Sequence, residues 1–405
     1  MEKRGGTRPL LSLAMIVRDE SKFLPGCLES VAGAVDEIVV VDTGSNDGTA
    51  AIASAHGCRV VNVAWRDDFS RARNESLRWC TGEWVLMLDA DERLAPGQAD
   101  ALRSCCRNPV ASAYMLLVRS RSTLPTGDAV HVMPYARLFR NDPAFRFEGT
   151  IHEQIAPSIT RAGGTIVSSA ILIEHLGYGQ GVEIMEQKAG RNLRLLHERL
   201  RKNPSDAYAC YHIGSTAAMF QRYDKAKEYL RRALAPGGLP DSVRAIAWNL
   251  LAEAELRTGS PAEAVRCCRS SLGIAPVQLT ARWYIVGACV ARKEYAAALV
   301  PLREILAMFF DAPSRPPLDV AVDLEIDESI VRQITGQCLW KTGDAASALE
   351  SFTRALRLDP SSPGIRANYE VARAAAGPHV TSSRSPAGSL TPVSPQGGEG
   401  RAESG

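Results

Sequence analysis

The stretch WVLMLDADERL (84–94) sets five apolar residues against three acids, Asp89, Asp91 and Glu92, with Ala90 between the first two. An unalternating apolar run of this length reads as a strand of a parallel sheet, covered on both faces. The acids at its tip need a separate reason, because neighbouring carboxylates repel and are costly to desolvate. The residues upstream repeat the arrangement. LLSLAMIV (10–17), DEIVVVDTGS (36–45) and CRVVNVAW (58–65) read as further apolar strands. Between them, ESKFLPGCLESVAG, NDGTAAIASAHG and SRARNESLRWCTG read as helices, the last two stopped by Gly57 and Gly82. Strands alternating with helices in this way indicate βαβ units.

From about residue 112 the pattern changes. SAYMLLVRSR, AVHVMPYARLFR and TIVSSAILIEH read as antiparallel or mixed strands separated by loops, without intervening helices. A helix over 181–203 follows, and then a repeat. Small residues recur on one helix of each unit (Gly214, Ala252, Gly287, Gly336) and on the next (Ala226, Ala264, Ala298, Ala348). Small side chains at fixed positions let paired helices approach closely. The third unit is one residue short in its turn, and a Pro- and Asp-rich insert (311–327) precedes the fourth. Residues 377–405, rich in Ser, Pro and Gly, read as a disordered tail. The boundaries expected are thus 8–180, a connecting helix over 181–203, repeats over 204–376, and the tail.

Composition limits what such a chain does. Its 405 residues suit two or three domains at about 100–200 residues each. A formal charge of +2 with no basic stripe excludes nucleic acid as a partner. No apolar stretch reaches the roughly 18 residues of a transmembrane segment. The basic-then-apolar start, MEKRGGTRPLLSLAMIV, ends at Arg18-Asp19-Glu20 without a small-residue cleavage site, so it reads as a first strand. Ten cysteines without C-x-x-C or zinc spacing read as reduced, semi-buried thiols of a cytoplasmic protein.

Parallel sheets bind ligands beyond the carboxyl ends of their strands. Three strand ends carry polar clusters here: Arg18-Asp19-Glu20, Asp42-Thr43-Gly44-Ser45 and Asp89-Ala90-Asp91-Glu92. A single acid at a strand end often caps the next helix, a reading open for Ser45 and Asp47. Three clusters on one edge call for a ligand. Asp89 and Asp91 can share a hard cation, Mg²⁺ or Mn²⁺, completed by a diphosphate.

In that order, AMIVRDE, EIVVVDTGSNDGT, DDFSRARNESL and WVLMLDADE resemble the family 2 glycosyltransferases of GT-A fold. The branch most resembled contains lipopolysaccharide-core β-glucosyltransferases and peptide S-glycosyltransferases. The helical part resembles tetratricopeptide repeats, with Trp248 and Trp283 at their tryptophan position. The resemblance implies a Rossmann-like, mostly parallel α/β domain followed by an all-α solenoid. It implies a metal-dependent, inverting transfer of a hexose, glucose in the commonest case, from a UDP-sugar. Asp89 and Asp91 match the D-x-D motif, with Asp91 as direct metal ligand and Asp89 also reaching sugar or ribose. Val17, Asp19 and Glu20 match the nucleoside pocket, and Asp42 the residue that contacts the base. Arg73 and Asn74 match a segment beside the nucleotide, with Arg71 a further phosphate ligand.

Transfer also needs a carboxylate to take the acceptor proton. FEGTIHEQI (147–155) resembles an F/W-x-G-x-I-H-E segment of this branch and offers Glu153, with Glu92 as competitor. His175 and His152 both stand as the third metal ligand. The acceptor is a cell-envelope glycan, a lipid-linked glycan or a peptide. A lipid-linked acceptor implies peripheral work at the inner face of the membrane. The repeats suit a protein partner, and the competing reading is an interaction protein with a degenerate enzyme domain. Intact Asp42, Asp89, Asp91 and Arg73-Asn74 argue against decay. A sugar nucleotidyltransferase is rejected because VRDESKFLPG stands where a Gly-rich phosphate loop belongs.

Overall fold

The computed structural model describes residues 8–124, 127–176, 182–235, 238–313 and 326–376. The tail over 377–405 and most of the 311–327 insert lie outside them. Two compact units divide the chain: Met1–Thr123 with Val130–Leu195, and Leu124–Ala129 with Leu196–Gly405.

The first unit begins β1 (Leu11–Val17), α1 (Leu24–Ser30), β2 (Glu37–Asp42), α2 (Thr49–Ala55), β3 (Arg59–Asn62), α3 (Phe69–Trp79), β4 (Trp84–Met87). β1 pairs in parallel with β2 and β4, and β2 with β3. Side chains alternate faces along a strand, and both faces are apolar. Leu11, Leu13, Met15 and Val17 join Leu24, Cys27 and Leu28 of α1 in one core. Ala14, Val85 and Met87 face the other way, against Leu77 of α3. This double cover is why β1, β2 and β4 are apolar apart from Ser12 and the two ends of β2. α3 ends at Trp79, before Gly82. Gly82 serves instead as a contact between strands: a Cβ there would lie 2.6 Å from Ser12 Oγ.

The second half adds β5 (Glu92–Leu94), α4 (Ala99–Cys105), β6 (Ala113–Leu124), β7 (Gly127–Arg140), α5 (Ala156–Arg161) and β8 (Ile166–His175). The full strand order is β3-β2-β1-β4-β7-β6-β8-β5. β7 is antiparallel to β4, and β5 to β8, while β6 and β8 run parallel. The helix α5 corrects the expectation of loops alone: Pro157 fits its first turn and Ile159 is fully buried.

One feature of this order governs the site. β5 lies at the far edge of the sheet from β3, yet only residues 88–91 join it to β4. Five Cα steps reach at most about 18 Å. Four flat interstrand spacings already need about 19 Å. The link is not extended either, since Glu92 N–H donates to Asp89 O at 3.0 Å. The sheet must therefore curl, bringing β8 and β5 back toward the tip of β4.

α6 (Val182–Lys202) leads to the helical unit: α7 (Ala207–Met219), α8 (Tyr223–Ala233), α9 (Asp241–Arg257), α10 (Pro261–Ile274), α11 (Thr280–Ala291), α12 (Tyr295–Ile305), α13 (Glu328–Lys341), α14 (Ala345–Leu358) and α15 (Pro363–Ala375). Ala226, Ala252, Ala264, Ala298 and Ala348 are wholly buried where paired helices meet. The turns over 220–222, 258–260, 292–294 and 342–344 all keep three residues. In each, the middle residue is left-handed: Gln221, Gly259, Lys293 and Gly343. The residue expected to be missing from the third turn is therefore missing from the end of α11 instead. That helix runs four residues beyond Gly287, where α13 runs five beyond Gly336.

Gly336 shows how tight the helix contacts are. A Cβ there would stand 2.6 Å from the Phe352 ring. Gly336→Ala should cost about 1–3 kcal/mol, read as an earlier urea midpoint, because the buried ring has nowhere to move. An unchanged midpoint would mean that the two helices are not packed as described.

Candidate active site

The carboxyl ends of β1, β2 and β4 share one edge, because the three strands are parallel and Val17 pairs with Asp42. The loops on this edge are laced together. Asp42 Oδ1 accepts the N–H groups of Gly44 and Ser45, both at 2.7 Å. Ser45 Oγ accepts from Asp19 N–H, and Asp19 Oδ1 from Asn46 N–H. Asp47 takes the N–H groups of Ser21 and Thr49. Ser45 and Asp47 thus fasten the β1 loop, and Asp47 also accepts the first N–H of α2. Thr43 Oγ1 donates to Val17 O, which fixes the end of β1. Asp19 is held at φ 54° and His152 at φ 52°. Non-glycine residues in this region store about 1–2 kcal/mol of strain each and tend to cluster at sites.

Asp89 lies between two buried guanidiniums. Arg73 of α3 donates to its Oδ1 at 2.6 Å, and Arg137 of β7 approaches Oδ2 at 3.4 Å. Arg73 also donates through Nε to Glu153 Oε1 at 2.9 Å. Arg137 donates to Glu92 Oε1 at 2.6 Å, and Glu92 Oε2 accepts the N–H of Asp89 at 2.9 Å. Burial alone would raise the Asp89 carboxyl, but Arg73 and then Arg137 outweigh it and hold it well below the usual range. Glu92 goes the other way: burial pushes it up to about 7, although Arg137 draws it down.

Asp91 is separate from this clamp. Its Oδ2 lies 3.4 Å from His175 Nε2, and its backbone oxygen accepts from Leu176 N–H. The β5–β8 register sets Glu92 opposite His175 and so carries the histidine to the turn. Ser120 Oγ lies 3.0 Å from the other ring nitrogen, Nδ1, and fixes the ring's orientation. Burial lowers the His175 pKa, but the hydrogen bond and charge of Asp91 more than reverse this. Glu20 is raised to about 7 by burial, then by Asp91.

Among the described residues, no three or more His, Cys, Asp or Glu side chains converge as a ready-made metal cage. One carboxylate and one imidazole, Asp91 and His175, stand together. That set suits Mg²⁺ or Mn²⁺, which take much of their shell from phosphate and water.

The other expected residues divide. Arg73 and Glu153 join the Asp89 cluster. Asn74 uses both ends of its amide on Phe147, accepting from its N–H at 2.8 Å and donating to its oxygen at 2.9 Å. It thereby holds the segment that carries His152 and Glu153. Arg71 is exposed on α3. Sequence reasoning missed Arg137 and Ser120. The first had a signal: a cation inside PYARLFR, next to Leu138 and Phe139, which are core residues. Ser120 had none.

Comparison with known proteins agrees with this geometry. Residues 12–121 match the family model Glycosyl transferase family 2. Residues 220–278 and 330–363 match a tetratricopeptide repeat model. A TPR repeat-containing protein of Synechococcus elongatus is 36% identical over 264 residues, covering 63% of this chain and 64% of that one. The SPbeta prophage-derived glycosyltransferase SunS of Bacillus subtilis is 26% identical over 229 residues, 56% of this chain and 53% of its own. The lipopolysaccharide core biosynthesis glycosyltransferase LpsC of Rhizobium meliloti is 36% identical over 89 residues, 21% of this chain and 32% of its own. The chain thus spans between half and two thirds of the first two relatives' length. It carries a family 2 glycosyltransferase domain of GT-A-like fold ahead of tetratricopeptide repeats.

The clamp makes a prediction that needs no substrate. Glu92 is 2% exposed, so Arg137→Met strands a buried carboxylate. The variant should lose about 3–5 kcal/mol in urea unfolding. Adding Glu92→Gln should restore part of that loss. Equal stability of the wild type and the single variant would dissolve the clamp.

Proposed function

We propose that the first unit is a metal-dependent, inverting glycosyltransferase that moves a hexose from a UDP-sugar to a cell-envelope glycan, a lipid-linked glycan or a peptide. The observation that carries this reading is the unfinished polarity of the sheet edge. Buried polar atoms are nearly always paired. Asp42 Oδ2, Arg73 Nη1 and Arg137 Nε are buried without a hydrogen-bond partner among the described residues. An acceptor on β2 suits a nucleobase N–H, and donors beside Asp89 suit oxygens of a sugar or diphosphate.

The residues divide the work. Asp42, with Val17, Asp19 and Glu20 around it, orients the nucleoside. Asp91 and His175 would hold Mg²⁺ or Mn²⁺, which supplies positive charge for the leaving diphosphate. His152 belongs to the segment facing this edge and stays the alternative ligand. Asp89, fixed by two arginines, presents a rigid acceptor to sugar or ribose. Glu153 is the stronger candidate for the base. Arg73 fixes its Oε1, and Oε2 carries the lone pair for the acceptor hydroxyl or thiol proton. Glu92 has both oxygens committed to Arg137 and to its own turn, which suits it to shaping the loop. Arg71 and Asn74 lie on the same helix as Arg73, the first open to the diphosphate and the second bracing the Glu153 segment. The repeats would hold a protein or peptide. No described helix is long and apolar enough to cross a membrane, and work at the inner face of the membrane fits a lipid-linked acceptor.

UDP release from a panel of UDP-sugars, with Mn²⁺ and with EDTA, tests the reading directly. Release should require the metal, and Asp91→Asn should raise the Mn²⁺ requirement by about 10–100-fold or more without moving the unfolding midpoint. If no nucleotide sugar binds or is hydrolysed in either condition, the proposal fails. Glu153→Gln should slow transfer by about 10²–10⁴-fold while UDP still binds. Wild-type rates in that variant would return the base role to Glu92.

A further inference from the structure

α6 runs from one unit into the other, and its first two thirds, through Leu195, belong to the sheet-bearing unit. Two anchors hold it there. Arg194 pairs with Asp67 at 2.8 Å, and the Arg191 guanidinium lies 5.2 Å from the centre of the Phe69 ring. The platform under them is itself fixed. Trp65 meets Phe69 edge-on at 4.8 Å and donates through Nε1 to Asp67. Phe69 N–H donates to Thr150 O, which ties the start of α3 to the Glu153 segment.

Lys188, Arg191 and Arg194 follow at intervals of three and so share one face of α6. The anchors set that face beside the start of α3, whose first N–H is tied to the Glu153 segment. Arg194 is neutralised by Asp67. Lys188 and Arg191 form no ion pair among the described residues. Arg191 also lies in the field of Arg18 and Arg194, and its pKa is pushed down by burial and by those two cations. Lys188 acts on Glu20, the same carboxyl that Asp91 and Asp89 push upward. Lys188 and Arg191 thus share the field of Glu20 with Asp89 and Asp91, and the cations repel one another as the acids do. A diphosphate with its cation offsets both at once, with anionic oxygens toward α6 and the metal toward Asp91.

Resting on the glycosyltransferase reading, we propose that Lys188 and Arg191 of α6 bind the donor's diphosphate, which makes this helix one wall of the donor site.

The test uses the full-length protein and UDP as probe, with Mn²⁺ present. Wild type, Lys188→Ala, Arg191→Ala and Lys202→Ala are titrated at several salt concentrations. Lys202 is on the same helix, in the last turn, and controls for net charge. Lys188→Ala and Arg191→Ala should each weaken UDP by about tenfold, the loss of one charge-assisted contact. Both should flatten the salt dependence of binding, keep wild-type affinity for uridine by saturation-transfer NMR, and leave the unfolding midpoint in place. Lys202→Ala should match wild type. UDP affinity unchanged in both site variants would overturn this inference and leave the enzyme reading standing. Equal weakening of UDP and uridine would overturn it too, as structural damage. A wild type that binds no nucleoside diphosphate would overturn both.

Discussion

Glu92 is almost excluded from water, accepts a backbone N–H from its own turn, and meets Arg137 at 2.6 Å. That interaction closes the four-residue link between β4 and β5, and the link is too short for a flat sheet. Without it, Glu92 would stand buried in the link with no cation beside it, while Asp89 would keep Arg73. With it, the sheet curls, β5 pairs with the end of β8, and His175 arrives beside Asp91. The charge of Glu92 at the tip is therefore structural, and it leaves Asp91 beside His175.

The same economy explains the two arginines. A buried guanidinium needs a counter-charge, and Asp89 serves two of them. Its orientation is set before any substrate arrives, as in sites that stabilise charge through preorganised dipoles. Arg73 links this acid to Glu153, 80 residues away in sequence. Asp89 and Glu153 therefore share one guanidinium. Their spacing is set by a rigid planar fork and not by loop flexibility.

What the sequence made legible follows from where the information lies. Apart from Ser12 and the terminal Glu37 and Asp42, β1, β2 and β4 are apolar because they are covered on both faces, and continuous apolar runs are easy to read. β5 is Glu-Arg-Leu, whose identity as a strand comes only from pairing with β8. α5 is six residues with a proline near its start, too short for a period. At the site, the acids stood out against an apolar strand. The partners of Asn74 and His175 did not, because Phe147 and Ser120 lie 73 and 55 residues away. The repeats were legible from recurring small residues, which answer to local helix packing. The place of the one missing residue was not.

That last miss has a physical cause that bears on the whole helical unit. A three-residue turn with its middle residue at positive φ is a discrete backbone solution, and it recurs at Gln221, Gly259, Lys293 and Gly343. Gln221 and Lys293 adopt it despite the cost to a side chain with a Cβ. A helix end, by contrast, frays and slips by a residue at little expense. When one residue is lost, α11 shortens and the turn survives. Packing between α11 and α12 is thereby preserved, because Gly287 and Ala298 keep their buried places while the slack is absorbed at the helix end. The turn, not the helix length, is the invariant from which each repeat is built.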